Sequence, residues 1–202
     1  AAEMEQLIRT AEELGISVIS DEIYHRLNHS GPDQTALQVS NGSVVINSFS
    51  KYYCMTGWRI GWMVLPQALL RPVERIAQSL YISPPEISQL AAIAAFDCCE
   101  DLEKIRSRYL ENRLLLHKRL PEIGFEFAAP MDGAFYAWCR SENHDSDSMA
   151  LATRILANTG VAVTPGHDFD PVQGHKFMRF SYAGSRAEMS EAMDRLERYL
   201  AG

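Results

Sequence analysis

Hydrophobic and polar positions along this chain switch between two periods. Met4, Leu7, Ile8, Ala11 and Leu14 recur at helical spacing, and Gly15 is placed to end that helix. Ile16-Ser17-Val18-Ile19-Ser20 then reads as a buried parallel strand that delivers Asp21-Glu22-Ile23-Tyr24 at its carboxyl end. Residues 25–43 contain Asn28, Ser30, Gly31, Pro32, Asn41 and Gly42 and read as loop with a short turn. Val44-Val45-Ile46-Asn47 is a compact β-type run. Ile60-Gly61-Trp62-Met63-Val64-Leu65, closed by Pro66, is a second run of antiparallel character.

Helical spacing dominates next. Leu69, Leu70, Val73, Ile76, Ala77 and Leu80 form one apolar stripe, broken by Ser83-Pro84-Pro85. Ile87, Leu90, Ala91, Ile93, Ala94 and Ala95 are so uniformly apolar that the pattern predicts a buried helix. Leu102, Ile105, Tyr109, Leu116 and Leu120 mark a long helix ending near Pro121. Strands are expected at 125–128 and 133–138, joined by Pro130-Met131-Asp132. A helix over 147–159 stops at Gly160, and Val161–Thr164 reads as a strand entering the Pro165-Gly166-His167 turn. Residues 176–182 alternate like a half-exposed strand. Ser185 and Glu188 have capping-box spacing before a last helix carrying Met189, Ala192, Met193, Leu196, Tyr199 and Leu200. A helix, a strand and a terminal acidic cluster at the start make an α/β unit.

Composition narrows the function classes. Of 202 residues, 47% are hydrophobic and 22% charged, an ordinary globular balance. A net charge of -7 points away from nucleic acid. No apolar run approaches a membrane span, and the acidic start, Ala1-Ala2-Glu3-Met4-Glu5, lacks a signal peptide's basic region. Cys54, Cys98, Cys99 and Cys139 form no C-x-x-C, which suits reduced thiols and a cytoplasmic location. The six histidines show no metal-ligand spacing, so no metal site is expected.

The chemistry gathers around Lys51, just past the carboxyl end of the 44–47 run, where ligands bind in open α/β sheets. A lysine amine forms a Schiff base with an aldehyde. Ser48, three residues before it, offers a hydroxyl to a phosphate, and Arg59, eight residues after it, offers a guanidinium fork to the same anion. Gly57 and Gly61 allow close backbone approach.

Ser48-Phe49-Ser50-Lys51 followed by Met55-Thr56-Gly57-Trp58-Arg59-Ile60-Gly61-Trp62 resembles the lysine signature of class I/II aminotransferases, fold-type I enzymes that use pyridoxal 5'-phosphate (PLP). The resemblance implies a Schiff base at Lys51. It implies that Asp21 faces the cofactor's pyridine nitrogen and keeps it protonated, and that Tyr24 bonds its phenolic oxygen. Ser48 and Arg59 would hold the phosphate. In Met178-Arg179-Phe180-Ser181, Arg179 resembles the family arginine that pairs with the substrate's α-carboxylate. Glu22 fits the family's Asp-Glu-x-Tyr, and no catalytic role is assigned to it.

The resemblance implies the second half of a family enzyme: a partial large domain over 1–66 with three contiguous strands, connecting helices over 67–101, and an α+β small domain over 102–202. The family's Asn-Pro-x-Asn-Pro-Thr-Gly motif and its glycine-rich phosphate cradle have no counterpart here. The leading expectation is amino-group transfer between amino acids and 2-oxo acids, by a fragment that associates with itself, as a homodimer or a larger assembly, and turns over little alone. A carbon-sulfur β-lyase, another fold-type I enzyme, or a non-catalytic module is the alternative.

Overall fold

The computed structural model describes residues 2–202. The chain divides into two compact units, Ala1–Glu103 and Lys104–Gly202. The first unit opens with α1 (Ala2–Glu13), whose apolar stripe buries Ile8. Gly15 ends it at φ 70°, the left-handed region that costs glycine least. A three-stranded sheet follows, made of β1 (Ile19–Asp21), β2 (Val44–Ser48) and β3 (Gly61–Val64) in that order. β1 runs parallel to β2, with Ile19 opposite Val44 and Asp21 opposite Ile46. β3 returns antiparallel, with Val45 opposite Val64 and Ser48 opposite Gly61. These are the three contiguous strands expected, with the last reversed.

Two burial expectations fail. The 16–20 run was expected to be a buried strand. Instead β1 begins at Ile19: the Ile16 amide still closes onto the Ala11 carbonyl at 2.8 Å, and the first bond toward β2 is from the Val44 amide to the Val18 carbonyl at 2.9 Å. Ile19 is 67% exposed, since β1 pairs on one side only. The apolar helix does form, as α3 (Glu86–Ala95), after α2 (Gln67–Leu80). Yet Ile87, Leu90 and Ile93 are exposed, and the residues it buries are Ser88 and Ala92. Uniform apolarity reports a helix's preference for cover, not the presence of that cover.

α4 (Cys99–Glu122) begins in the first unit and lies mostly in the second. The second unit has an antiparallel sheet of β4 (Glu126–Phe127), β5 (Tyr136–Arg140), β6 (Thr164–Pro165) and β7 (Phe177–Ser181), in the order β4-β5-β7-β6. The strand expected at 133–138 starts at Tyr136, because Ala134 sits at φ 58° and cannot join the ladder. The strand expected at 161–164 shrinks to Thr164–Pro165. α5 (Ser148–Thr159) is capped by Asp147, which accepts from the Met149 amide at 2.9 Å, and ends at Gly160 with φ 69°. α6 (Arg186–Leu200) carries the full Ser185–Glu188 capping box.

This unit closes its own core. Leu116, Leu120, Phe125, Cys139, Ile155, Met178, Phe180 and Leu196 are all buried. Asn112, fully buried on α4, donates to the carbonyls of Tyr182 at 3.0 Å and Gly184 at 2.9 Å, fixing the exit from β7. Arg119 on α4 pairs with both Asp194 and Glu197 on α6. Burial pushes the Cys139 thiol and the Tyr182 phenol each up to about 12, so both stay neutral.

His144 packs its ring 4.4 Å from Phe125, and its buried Nε2 has no hydrogen-bond partner. Burial lowers its pKa below the usual 6.5, against a smaller opposing effect of the Ile123 backbone. Protonation therefore favours the unfolded chain: stability is full above about pH 6.5 and falls as pH drops through that value toward the lower folded pKa. Urea unfolding of the second unit, followed by buried-core fluorescence at pH 7.5 and pH 5, is expected to show this loss. His144→Phe, which keeps the ring, is expected to make the two pH values nearly equivalent.

Candidate active site

The parallel pairing of β1 with β2 brings two carboxyl ends to one side of the first unit. Asp21 closes β1, is exposed, and accepts from the Ile23 amide at 3.2 Å. Glu22 follows, and its amide continues the pairing by donating to the Ile46 carbonyl at 2.8 Å. Its side chain turns inward: Oε1 accepts from Ser20 Oγ at 3.1 Å and from the Ala36 amide at 2.8 Å, and Oε2 lies 3.2 Å from His25 Nε2. Glu22 is thus a structural carboxylate that ties the 25–43 loop to β1.

β2 ends at Ser48 and runs into a tight turn that carries Lys51. The turn is pinned by the Phe49 amide on the Ile60 carbonyl at 3.2 Å and the Met55 amide on the Phe49 carbonyl at 3.1 Å. Thr56 Oγ1 donates to the Ser50 carbonyl at 2.8 Å. Phe49 is buried against Tyr53, Trp62 and Phe96, at ring separations of 4.8, 5.1 and 5.5 Å. Ser48 Oγ accepts from the Ser50 amide at 3.0 Å and lies 3.2 Å from the Ile60 carbonyl. Lys51 is half-buried, with Nζ 5.8 Å from the centre of the Tyr24 ring, within cation–π range.

Arg59 stands at φ 50°, exposed, with Nη1 donating to the Thr56 carbonyl at 3.0 Å. Two residues on, Gly61 lies opposite Ser48. A Cβ at Gly61 would come within 2.6 Å of the Asn47 carbonyl, so only glycine lets β3 press this closely on β2. Lys51 and Tyr24 are therefore in contact, while Asp21, Ser48 and Arg59 are placed by adjoining strand ends and the following turn. Arg179 belongs to the second unit, as the central residue of β7, opposite Trp138 and Thr164.

One network escapes sequence reasoning. Tyr52, the residue after Lys51, is buried; its hydroxyl accepts from Arg26 Nη1 at 3.2 Å and donates to Glu103 Oε1 at 2.7 Å. The hydrogen bond to Tyr52 raises the Arg26 pKa, and burial raises that of Tyr52. Arg26 itself sits at φ 66° with its amide held by Asp33. Nothing local in the sequence joins positions 26, 52 and 103; the link exists only once β1 and β2 are paired. A cavity of about 210 Å³ opens beside Asn47, Ser48, Tyr52 and Trp62, and Lys51 does not line it. Among the described residues, no cluster of three or more His, Cys, Asp or Glu suits a metal ion.

Known proteins share this fold. The family profile described as aminotransferase class I and II matches residues 1–196. The chain is 43% identical over 189 residues to a valine–pyruvate aminotransferase of Mycobacterium tuberculosis, covering 92% of this chain and 49% of that protein. It is 33% identical to a (5-formylfuran-3-yl)methyl phosphate transaminase of Methanocaldococcus jannaschii, over 91% of this chain and 50% of that one. A crystal structure of an aminotransferase from Mycobacterium tuberculosis superposes with a TM-score of 0.94 at 41% identity, over 99% of this chain and 53% of that one. The chain spans about half the length of the curated relatives it matches.

Glu22→Ala removes a buried acceptor and leaves the Ala36 amide unpaired. It is expected to destabilise the first unit by about 2–3 kcal/mol. Chemical denaturation followed by Trp62 emission checks this; Glu22→Gln, which keeps one acceptor oxygen, should lose less.

Proposed function

This chain belongs to the class I and II aminotransferases, and from that premise we propose that it is the Lys51-bearing half of a PLP-dependent enzyme that moves an amino group between amino acids and 2-oxo acids. The observation that carries the reading is the half-buried Lys51 amine against the Tyr24 ring, at the joined carboxyl ends of β1 and β2. The residues present fit the cofactor. Gly61, which no Cβ can replace, holds β3 so that Ser48 and the Arg59 turn lie on one side of the sheet, a hydroxyl and a guanidinium for a phosphate. Asp21 offers an exposed carboxylate for a pyridine nitrogen, and Tyr24 a phenol for a phenolic oxygen.

PLP, when bound, supplies an aldehyde for the amine and a ring that accepts electrons from the substrate's Cα. Lys51 Nζ would hold that aldehyde and, when released, would serve as the base for the substrate's Cα proton. Asp21 would be the carboxylate that keeps the pyridine nitrogen protonated. Arg179, on the second unit, would offer a planar guanidinium fork for the substrate carboxylate. A β-lyase uses the same groups, and no observation here favours it over transfer; the relatives named above carry aminotransferase or transaminase names.

The state of this chain follows from its uncovered surfaces. β1 and β3 each leave one edge unpaired, and Leu69, Leu70, Ile76, Ile87, Leu90 and Ile93 are exposed in the same unit. Unpaired edges and apolar faces recruit partners, so a homodimer or larger assembly is part of the proposal. Among the described residues no helix is long and apolar enough to cross a membrane. The four cysteines are free, which suits the cytoplasm.

Addition of PLP followed by borohydride is expected to leave a stable label on Lys51 alone, read by peptide mapping. Lys51→Ala should lose the label; a label that persists in the variant overturns the assignment. Sedimentation velocity over a range of concentrations is expected to show self-association. A coupled transaminase assay with an amino acid and 2-oxoglutarate is expected to show little turnover by this chain alone.

A further inference from the structure

Arg179 is held differently from an arginine on an open sheet surface. Its guanidinium carbon lies 4.2 Å from the centre of the Tyr136 ring and 4.4 Å from that of Phe169. Its Nε is buried and has no hydrogen-bond partner. An N–H left unpaired in this way is costly unless something else meets it. The two rings come from separate elements. Tyr136 opens β5, and Phe169 closes the 3-10 turn Gly166–Asp168.

The second of these is anchored with care. The Phe169 and Asp170 amides both donate to the Gly166 carbonyl, at 2.9 and 3.0 Å. Gly166 and Gly174 pass so closely that a Cβ on either would come within 2.4 Å of the other's carbonyl oxygen. Ser148 Oγ fixes the Gly174 carbonyl at 2.9 Å from below. Trp138 meets the Phe169 ring edge-on at 5.7 Å and stacks on Phe177 at 5.4 Å. The outcome is a phenyl ring that is 49% exposed yet fixed beside the cation.

We propose that Phe169 and Tyr136 are positioning residues that brace the Arg179 guanidinium, so that its N–H edge is preset for a planar carboxylate. Two aromatic faces attract the cation and exclude water from its flat sides. They offer it no hydrogen bond, so the in-plane N–H groups stay available. A carboxylate is the planar anion that accepts two parallel bonds from that edge. Little side-chain freedom remains to be lost on binding, which is how preorganisation strengthens affinity. The half-exposed Phe169 ring leaves an apolar wall beside the bound carboxylate.

The inference rests on the reading of Arg179 as the carboxylate group, and the test separates the two. The side-chain Nε–H resonance of Arg179 is followed by ¹⁵N NMR of the full chain while pyruvate is added as probe, with pyruvamide as the control lacking the carboxylate. Ring currents are expected to displace the free signal upfield, and pyruvate, not pyruvamide, is expected to move it. Phe169→Leu is expected to remove most of the upfield displacement and to weaken the pyruvate response about fivefold. Phe169→Tyr is expected to restore both, and thermal unfolding unchanged between the two variants shows that the fold is intact. An equal pyruvate response in wild type and Phe169→Leu overturns the bracing role alone. No pyruvate response in the wild type overturns the carboxylate reading and the bracing role together.

Discussion

Strand β2 is the element on which the first unit depends. It alone in its sheet has a neighbour on each side, parallel β1 and antiparallel β3. Parallel pairing sets Asp21 level with Ile46 and so sends the chain's two chemical stretches out from the same sheet edge. Antiparallel pairing turns the chain back after Lys51, and the contact at Gly61 makes that return tight. The carboxyl ends of β1 and β2 and the amino end of β3 therefore lie at the same end of a sheet only three strands wide. The geometry of the turn then does the finer placement. Phe49 is buried within the aromatic cluster around it, and Lys51 is half-buried with its amine near the Tyr24 ring.

Much of this was legible in the sequence, for a physical reason. Strand runs rich in valine and isoleucine, the helix stops at Gly15 and Gly160 and the capping box at Ser185 are local devices, and each forms where its residues stand. The lysine stretch was equally legible because its chemistry is contiguous. Burial was not legible where it depends on what lies opposite. Ile19 on β1 and Ile87, Leu90 and Ile93 on α3 have the composition of core residues and face solvent. Strand ends were misread at residues 133–135, where Ala134 takes a left-handed conformation that its type gives no hint of. The Arg26–Tyr52–Glu103 chain was invisible because its members meet only through tertiary structure.

The two units differ in how much apolar core they close. In the second, Leu120, Phe125, Ile155, Met178, Phe180 and Leu196 are buried together with the side chain of Asn112, which donates to two carbonyls while its Oδ1 has no partner. In the first, the buried clusters are small: Ile8 with Ala36 and Val45, and Phe49 with Met55 and Ala92. Small cores stabilise weakly, because the burial of each apolar side chain contributes only about 1.5–3 kcal/mol against the entropy of ordering the chain. Polar ties such as Glu22 to Ala36 and Tyr52 to Glu103 then carry a larger share of the order than in an ordinary domain.

That distribution shapes the chemistry each unit can perform. The Arg179 guanidinium lies against two rings, one from an antiparallel strand and one from a turn where two glycines pass closely. Lys51 is prepared less completely. Its turn is fixed by backbone hydrogen bonds, but the sheet beneath it ends in open edges. In the proposed reaction a flexible amine would have to swing between an aldehyde carbon and a proton, whereas a guanidinium reading a planar carboxylate would not. The more rigid group therefore sits on the better-packed unit, and the more mobile one on a turn whose position depends on a single central strand.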